Sequence, residues 1–203
     1  MSGASSPPPK PPSADDDAFK RELVALIPHL RAFARTLTGD PTAADDLAQD
    51  AMMKAWDARA SYQMGTNMKA WTFMILRNQF YSEKRRSWRQ SQLDQEAAER
   101  TLVAVDDPES PVALDELRLA LATLPEEQRE ALILVGAGGF AYEEAAAICQ
   151  CAVGTVKSRV SRARKALQAT LEKGGYARDG RAAGDAMRSI LAAADRLSGV
   201  RQG

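Results

Sequence analysis

Tyr142-Glu143-Glu144-Ala145-Ala146-Ala147-Ile148-Cys149, then Gln150-Cys151-Ala152-Val153, then Gly154-Thr155-Val156-Lys157-Ser158-Arg159-Val160-Ser161-Arg162-Ala163-Arg164 is the stretch that decides the fold. It pairs a short apolar helix with a long basic one, running to about Lys173, across a turn of about four residues, the layout of a helix-turn-helix. Val156, Val160, Ala163 and Leu167 recur at helical spacing and supply an inward face. Thr155, Ser158, Arg159 and Arg162 share another face, flanked by Lys157, Arg164 and Lys165. Arginine can pair with guanine edges in the major groove, Thr and Ser can reach bases or phosphates, and flanking cations hold the backbone. A charge run alone would suit an ordinary solvated face; the short helix and tight turn ahead of it favour a DNA reader.

Working outward, Pro125-Glu126-Glu127 opens a preceding helix with Pro and acids in its first turn, where the dipole favours them, and Gly136, Gly138 and Gly139 close it. Val112 to Leu121 forms another helix. Residues 91–111 lose periodicity, gain acid and end in Asp-Asp-Pro-Glu-Ser-Pro, which marks a flexible linker. Upstream, Phe19, Leu23, Leu26, Ile27, Leu30, Phe33 and Leu37 fall three or four apart in one helix with a kink at Pro28. Gly39 stops it. Asp40-Pro41 starts a second helix, with Asp as N-cap and Pro at the first helical position, running to about Ala60. A loop over residues 61–67 leads to a third helix from Met68 to Arg89. No segment alternates with period two, so the chain is all-α: two small helical domains, 19–90 and 112–173, joined by the linker. Residues 1–18, rich in Pro and acid, are expected to be disordered. Residues 174–203 fit a weak amphipathic helix.

The whole chain has 203 residues and balances 27 basic against 27 acidic side chains. The balance is a cancellation. Residues 19–90 hold twelve basic and seven acidic groups, net +5; residues 91–117 are −7, and the segments from 118 to 173 and from 174 to 203 are each +2. Two basic blocks flank an acidic segment, which suggests a two-part binder and not one neutral globule. No run reaches the roughly 18 apolar residues of a membrane span and no secretory leader is present, so a cytoplasmic protein is expected. Cys149 and Cys151 are too close for an ordinary disulfide, and His29 is the only histidine, so neither a metal site nor a cofactor is expected. Without a nucleophile-base pair or a phosphate loop, the chain does not read as an enzyme and implies no small-molecule substrate.

The third helix sets Arg77, Tyr81, Lys84 and Arg85 together, followed by Arg86, Trp88 and Arg89. Rings interleaved with cations suit single-stranded nucleic acid, each stacked base being worth about 1–3 kcal/mol. Trp71 and Phe73 fit a core equally well, with Phe73 favoured as core. Asn67 fits an N-cap or a base pocket, and the two are compatible. The second helix is different: Asp46, Gln49, Asp50, Met53 and Asp57 form an acidic face with one Met, suited to a basic protein partner or simply to solvent. Leu47, Ala48, Ala51, Met52, Ala55 and Trp56 turn inward.

Asp45-Asp46-Leu47-Ala48-Gln49-Asp50-Ala51, Lys69-Ala70-Trp71-Thr72-Phe73 leading to Arg77-Asn78, and Gly154-Thr155-Val156-Lys157-Ser158-Arg159 with Ser161-Arg162-Ala163-Arg164 together resemble the extracytoplasmic-function sigma factors of bacterial RNA polymerase. Gly65 to Trp71 and Tyr142 to Gly154 look most like the EcfG subgroup, the general stress response factors of alphaproteobacteria. The resemblance implies a sigma-two and a sigma-four domain acting on core polymerase, at its beta-prime clamp and beta subunits, and on promoter DNA. It assigns Asp46, Gln49, Asp50, Met53 and Asp57 to the clamp coiled coil. Thr66, Asn67, Lys69, Trp71, Arg77, Asn78, Tyr81, Lys84, Arg85 and Arg86 fall to the minus-ten element, with Ser61 to Met68 holding a flipped base. Thr155, Lys157, Ser158, Arg159, Arg162 and Arg164 fall to the minus-thirty-five element. It also implies restraint by a NepR-type anti-sigma factor, lifted by the response regulator PhyR. Ala141 departs from the pattern where many members have a capping Ser, as does Thr72 where Leu is common. A stand-alone helix-turn-helix regulator would not require the acidic face, and a sigma-like mimic would require a receiver domain for which thirty residues after 173 are too few.

Overall fold

The computed structural model describes residues 14–93 and 120–172. The helices are α1 (Ala14–Ala25), α2 (Ile27–Thr38), α3 (Pro41–Asp57), α4 (Met68–Leu93), α5 (Glu126–Gly136), α6 (Tyr142–Cys149) and α7 (Val153–Glu172), with a 3-10 turn at Arg59–Ser61. No strand occurs among the described residues, as the lack of period-two alternation predicts.

Local chemistry sets most boundaries. Asp40 accepts the Ala43 N–H at 2.7 Å as the N-cap of α3, and Pro41 stands in the first turn, where its missing N–H is not needed. Gly39 adopts φ 72°, and its N–H closes α2 on the Arg35 carbonyl. Asn67 accepts from the Ala70 N–H at 3.0 Å and caps α4.

Four boundaries differ from expectation. The second helix ends at Asp57 and not at about Ala60, the chain tightening there into the 3-10 turn Arg59–Ser61. Helix begins at Ala14, so residues 14–18 of the expected disordered tail are ordered: three Asp residues sit in the first turn of α1, Asp16 pairs with Arg59 at 2.9 Å, and Phe19 is buried. Proline at 28 does not kink one helix; the chain breaks at Leu26 and a new helix starts, with Pro28 in its first turn. Helix α4 continues past Arg89 to Leu93, so residues 91–93 of the expected linker are helical. The rest of that linker, most of the expected helix from Val112 and the amphipathic tail lie outside the described residues.

Helices α1 to α4 form a first unit, and α5 to α7 a second. One buried cluster runs through both: Leu30, Phe33, Leu47 and Leu76 of the first unit are continuous with Leu132, Phe140, Ile148, Val156 and Val160 of the second. Phe140 is the hinge of this packing. It is buried, meets the edge of Phe73 at 5.0 Å between ring centroids, and Phe73 in turn stacks on Phe33 at 4.9 Å. Burying a ring of this size is worth about 1.5–3 kcal/mol, so Phe140 alone gives the two units reason to stay together. A second cluster, Phe19, Leu23, Ala55, Tyr62 and Met68, fastens α1 to the 3-10 turn and the start of α4.

Candidate nucleic-acid interface

The second helix carries its acidic face outward. Asp46, Gln49, Asp50, Met53 and Asp57 are all exposed on α3, while Leu47, Ala48, Ala51 and Ala55 are buried and Met52 and Trp56 half-buried. Met53 is 58% exposed, an unusual position for so large an apolar side chain and one that suits a protein partner. The neighbouring Asp45 is occupied: it pairs with Arg31 on α2, whose hydrogen bond holds the carboxyl below the usual range.

On α7 the sequence pattern holds at each position. Val156, Val160, Ala163 and Leu167 are buried against α5 and α6, which leaves Lys157 and Arg162 exposed and Thr155, Ser158, Arg159 and Arg164 half-covered. Ser158 donates to the main-chain carbonyl of Thr155 at 2.9 Å and accepts from Arg162 at 3.1 Å, so the Ser158 and Arg162 side chains are already ordered relative to one another. Arg159 is steered by two groups, Glu127 of α5 at 2.6 Å and the Cys151 sulfur at 3.7 Å. Lys157 lies 5.7 Å from the centre of the Tyr142 ring. Beside these residues, Tyr142, Ser161, Lys165 and Gln168 help line a concavity of about 500 Å³. Burial pushes the nearby Cys149 thiol up to about 12, which keeps it protonated and unreactive.

The α4 residues divide into three groups. Asn78, Arg85 and Arg86 are exposed, as is Thr66 in the preceding loop. Tyr81, Lys84, Arg85, Trp88 and Arg89 surround an apolar notch of about 310 Å³. Trp71 takes a different position: half-buried, it packs on Tyr62 at 5.1 Å and Phe19 at 6.1 Å, away from the cations. Phe73 is core, as favoured from the sequence.

The third group faces the second unit. Arg77 donates to Glu130 at 2.6 Å and Tyr81 to the other carboxylate oxygen at 3.3 Å; Lys84 pairs with Glu126. Lys69 donates to the Gly138 carbonyl at 2.8 Å and lies 5.1 Å from the centre of the Phe140 ring. Asn67 donates to Glu144 at 2.6 Å. Burial lowers the Lys69 pKa, against the opposing pull of Glu144. Sequence reasoning missed Glu126, Glu130 and Glu144 as parts of this surface, because each partner lies far away along the chain.

Glu144 has a second task. Its other oxygen accepts the Ala141 N–H at 2.9 Å, half of a capping box whose reciprocal half a methyl side chain cannot supply. The N-termini of α4 and α6 are therefore joined by a hydrogen bond between their capping side chains.

Comparison with known proteins adds two family matches, Sigma-70 region 2 over residues 23–90 and Sigma-70, region 4 over residues 114–167. The chain is 47% identical over 155 residues to the ECF RNA polymerase sigma factor EcfG of Rhodopseudomonas palustris, covering 76% of this chain and 86% of that protein. It is also similar to the sigma factor RpoE of Bartonella quintana, solved in complex with the anti-sigma factor NepR, at 47% identity and a TM-score of 0.69 over 77% of this chain and 98% of that one. The PhyRSL-NepR complex of Sphingomonas sp. Fr1 shares the fold at 20% identity and a TM-score of 0.53, over 74% of this chain and 87% of its match.

Proposed function

The chain belongs to the extracytoplasmic-function sigma factors of bacterial RNA polymerase, and from that premise we propose that it is a dissociable initiation subunit of the general stress response, restrained by an anti-sigma factor of the NepR type. It lends promoter specificity to core polymerase and performs no covalent chemistry of its own. Residues 19–90 serve the polymerase clamp and the minus-ten element; residues 112–173 serve the minus-thirty-five element. No described helix is long and apolar enough to cross a membrane, and the cytoplasm, where polymerase and promoter meet, is its place of action.

The observation that carries this reading is the coexistence of two unlike surfaces in one chain: the exposed acidic face of α3 with Met53 at its centre, and the basic helix-turn-helix of α6 and α7. A regulator that acts alone on duplex DNA needs only the second. Asp46, Gln49, Asp50, Met53 and Asp57 dock on the beta-prime clamp. Arg159 and Arg162, ordered by Glu127 and Ser158, read bases in the major groove, while Lys157 and Arg164 hold phosphates. The α4 cations and Tyr81 capture unpaired bases of the minus-ten element, each offsetting a few kcal/mol of unstacking.

Run-off transcription with purified core polymerase tests the reading. Promoter-specific transcript is expected only when the chain is added, and Asp50→Lys should remove it by blocking assembly with core. An active core enzyme that gives no specific transcript with the wild-type chain would sink the proposal.

A further inference from the structure

Arg159 of α7 is held from two other elements at once. One terminal nitrogen donates to the Glu127 carboxylate in the first turn of α5 at 2.6 Å, and the other reaches the sulfur of Cys151, in the turn that joins α6 to α7, at 3.7 Å. The arginine side chain is 17% exposed and that of Glu127 65%, so the guanidinium is the covered member of the pair and the carboxylate stands at the surface. Arg162 is placed differently: it is exposed, and the hydroxyl that holds it belongs to its own helix. We infer that Glu127 is a specificity-determining residue that acts through Arg159: it reserves that guanidinium for one base pair of the minus-thirty-five element and withholds it from the phosphate backbone. The inference rests on the reading of α7 as the helix that enters the major groove.

A free arginine on a basic helix pairs with whichever oxygen is nearest, and along a duplex phosphates are always near. Such a contact adds affinity at every sequence and carries no discrimination. Glu127 opposes that outcome in two ways. Its charge already satisfies the guanidinium, so exchanging it for a phosphate returns little and leaves a surface carboxylate facing the backbone, a like-charge contact that penalises the wrong pairing. Its oxygen also fixes the direction of the guanidinium fork, as a supporting hydrogen bond locks the rotamer of a binding residue. After the contacts with Glu127 and Cys151, Arg159 keeps enough N–H groups to face both acceptors of a guanine edge. An acid in the first turn of α5 also steadies that helix through its dipole. A purely stabilising role is indifferent to base sequence, so experiment separates the two.

The test uses the full chain assembled with core polymerase, on a promoter from which wild type gives specific transcript, with the minus-thirty-five element randomised and the output read by sequencing. Arg159→Ala first identifies the base pair that this arginine reads, as the position whose preference it loses. Glu127→Ala should lower the preference at that same position by about tenfold and leave the other positions as in wild type. Binding of the full chain, without polymerase, to a duplex of unrelated sequence should tighten, with a salt slope steeper by about one. Glu127→Gln keeps an acceptor at the same reach without the charge; it should restore part of the base preference and none of the wild-type salt slope. In an Arg159→Ala background, Glu127→Ala should alter no preference further. If Glu127→Ala fails to fold, Glu127→Gln is read alone, and a base preference and salt slope both equal to wild type overturn the inference. Transcription lowered equally at every sequence, or an unchanged preference at the Arg159 position, overturns the positioning role of Glu127 and leaves α7 as the reader. An Arg159→Ala variant that keeps every wild-type preference overturns the reading of Arg159 as a base contact, and the inference with it.

Discussion

Arg77 of α4 and Glu130 of α5 stand 53 positions apart in the chain and 2.6 Å apart in space, with the carboxylate wholly removed from solvent. A covered ion pair of this kind roughly breaks even against a well-packed apolar pair, whereas removing one partner costs about 3–5 kcal/mol because the other charge is left buried. Arg77→Met alone should therefore strongly destabilise the closed arrangement, and Arg77→Met with Glu130→Leu should recover most of the loss. Opening lets an orphaned Glu130 rehydrate, so the measured effect on global unfolding is capped by the free energy of opening. Urea titrations of the two variants, followed by both circular dichroism and scattering, separate the two quantities.

The same pair sets a pH dependence of definite sign. Burial pushes the Glu130 carboxyl above its ordinary 4.5, although Arg77 and Tyr81 pull the other way, with Glu126 on its own helix adding to the rise. Burial also works against the Arg77 charge, but the carboxylate overrides it and holds the guanidinium above its usual value. Buried Cys149, which carries no charge, lies on the α6 side. When the units part, Glu130 returns to the ordinary range. The closed form thus binds the proton more tightly than the open one: its advantage is full below the ordinary value and is lost as pH rises through the closed-state value. Moving from about pH 8 to about pH 5 should shift the chain toward compactness, and Glu130→Gln should abolish that shift. A scattering series across this range checks both, and greater expansion on acidification would contradict the linkage.

Much of the architecture follows from short-range rules visible in the sequence. Asp40 and Pro41 announce α3 because a cap and a fixed φ act within one turn. Helix α6 and the inward face of α7 follow from spacing alone, and the acidic face of α3 is exposed where periodicity placed it. What stayed hidden is non-local. Residues 14–18 carry only acids and small side chains, yet they are helical because Phe19 finds Trp56, Tyr62 and Trp71, three residues scattered over fifteen positions of the chain. Pro28 reads as a kink in a continuous pattern of apolar residues, and only the break at Leu26 places it in the first turn of a new helix. The closure of α4 on α5 and α6 joins groups up to 77 positions apart, as Asn67 to Glu144, and no spacing rule pairs them. Net charge by segment counted the α4 cations as available to DNA, whereas several are neutralised within the chain.

Gly138 is required by space. A Cβ there would stand 2.6 Å from the Leu134 carbonyl and 2.9 Å from the Phe140 ring, and neither a helical backbone oxygen nor a ring wedged against Phe73 can yield cheaply. Gly138→Ala should destabilise the protein by about 1–3 kcal/mol through overpacking. Gly139 meets nothing within 4 Å but holds φ 69°, so Gly139→Ala should cost about 1–2 kcal/mol through backbone strain alone. Because Gly138 also presents the carbonyl bound by Lys69, only its variant should also loosen the two units. Thermal melts compared with scattering separate packing from strain.

Position 141 offers a gain instead of a loss. Helix α6 has only eight residues, and its first turn depends on Glu144 reaching back to the Ala141 N–H, with no hydroxyl at 141 to accept the N–H of residue 144 in return. Ala141→Ser completes the box and should stabilise the protein by about 0.5–1 kcal/mol, seen as a rise of a few degrees in Tm. Ala141 already has the extended backbone of a cap, with φ −59° and ψ 157°, so the hydroxyl needs no rearrangement to reach its donor. The hydroxyl also fixes the first turn that carries Glu144, so its hold on Asn67 should be firmer, and the variant should be slightly more closed as well as more stable. In Glu144→Ala both effects should reverse, because that one carboxylate serves α6 and the α4 cap together. If Ala141→Ser melts at the wild-type temperature, the open half of the box was already satisfied by solvent at no cost.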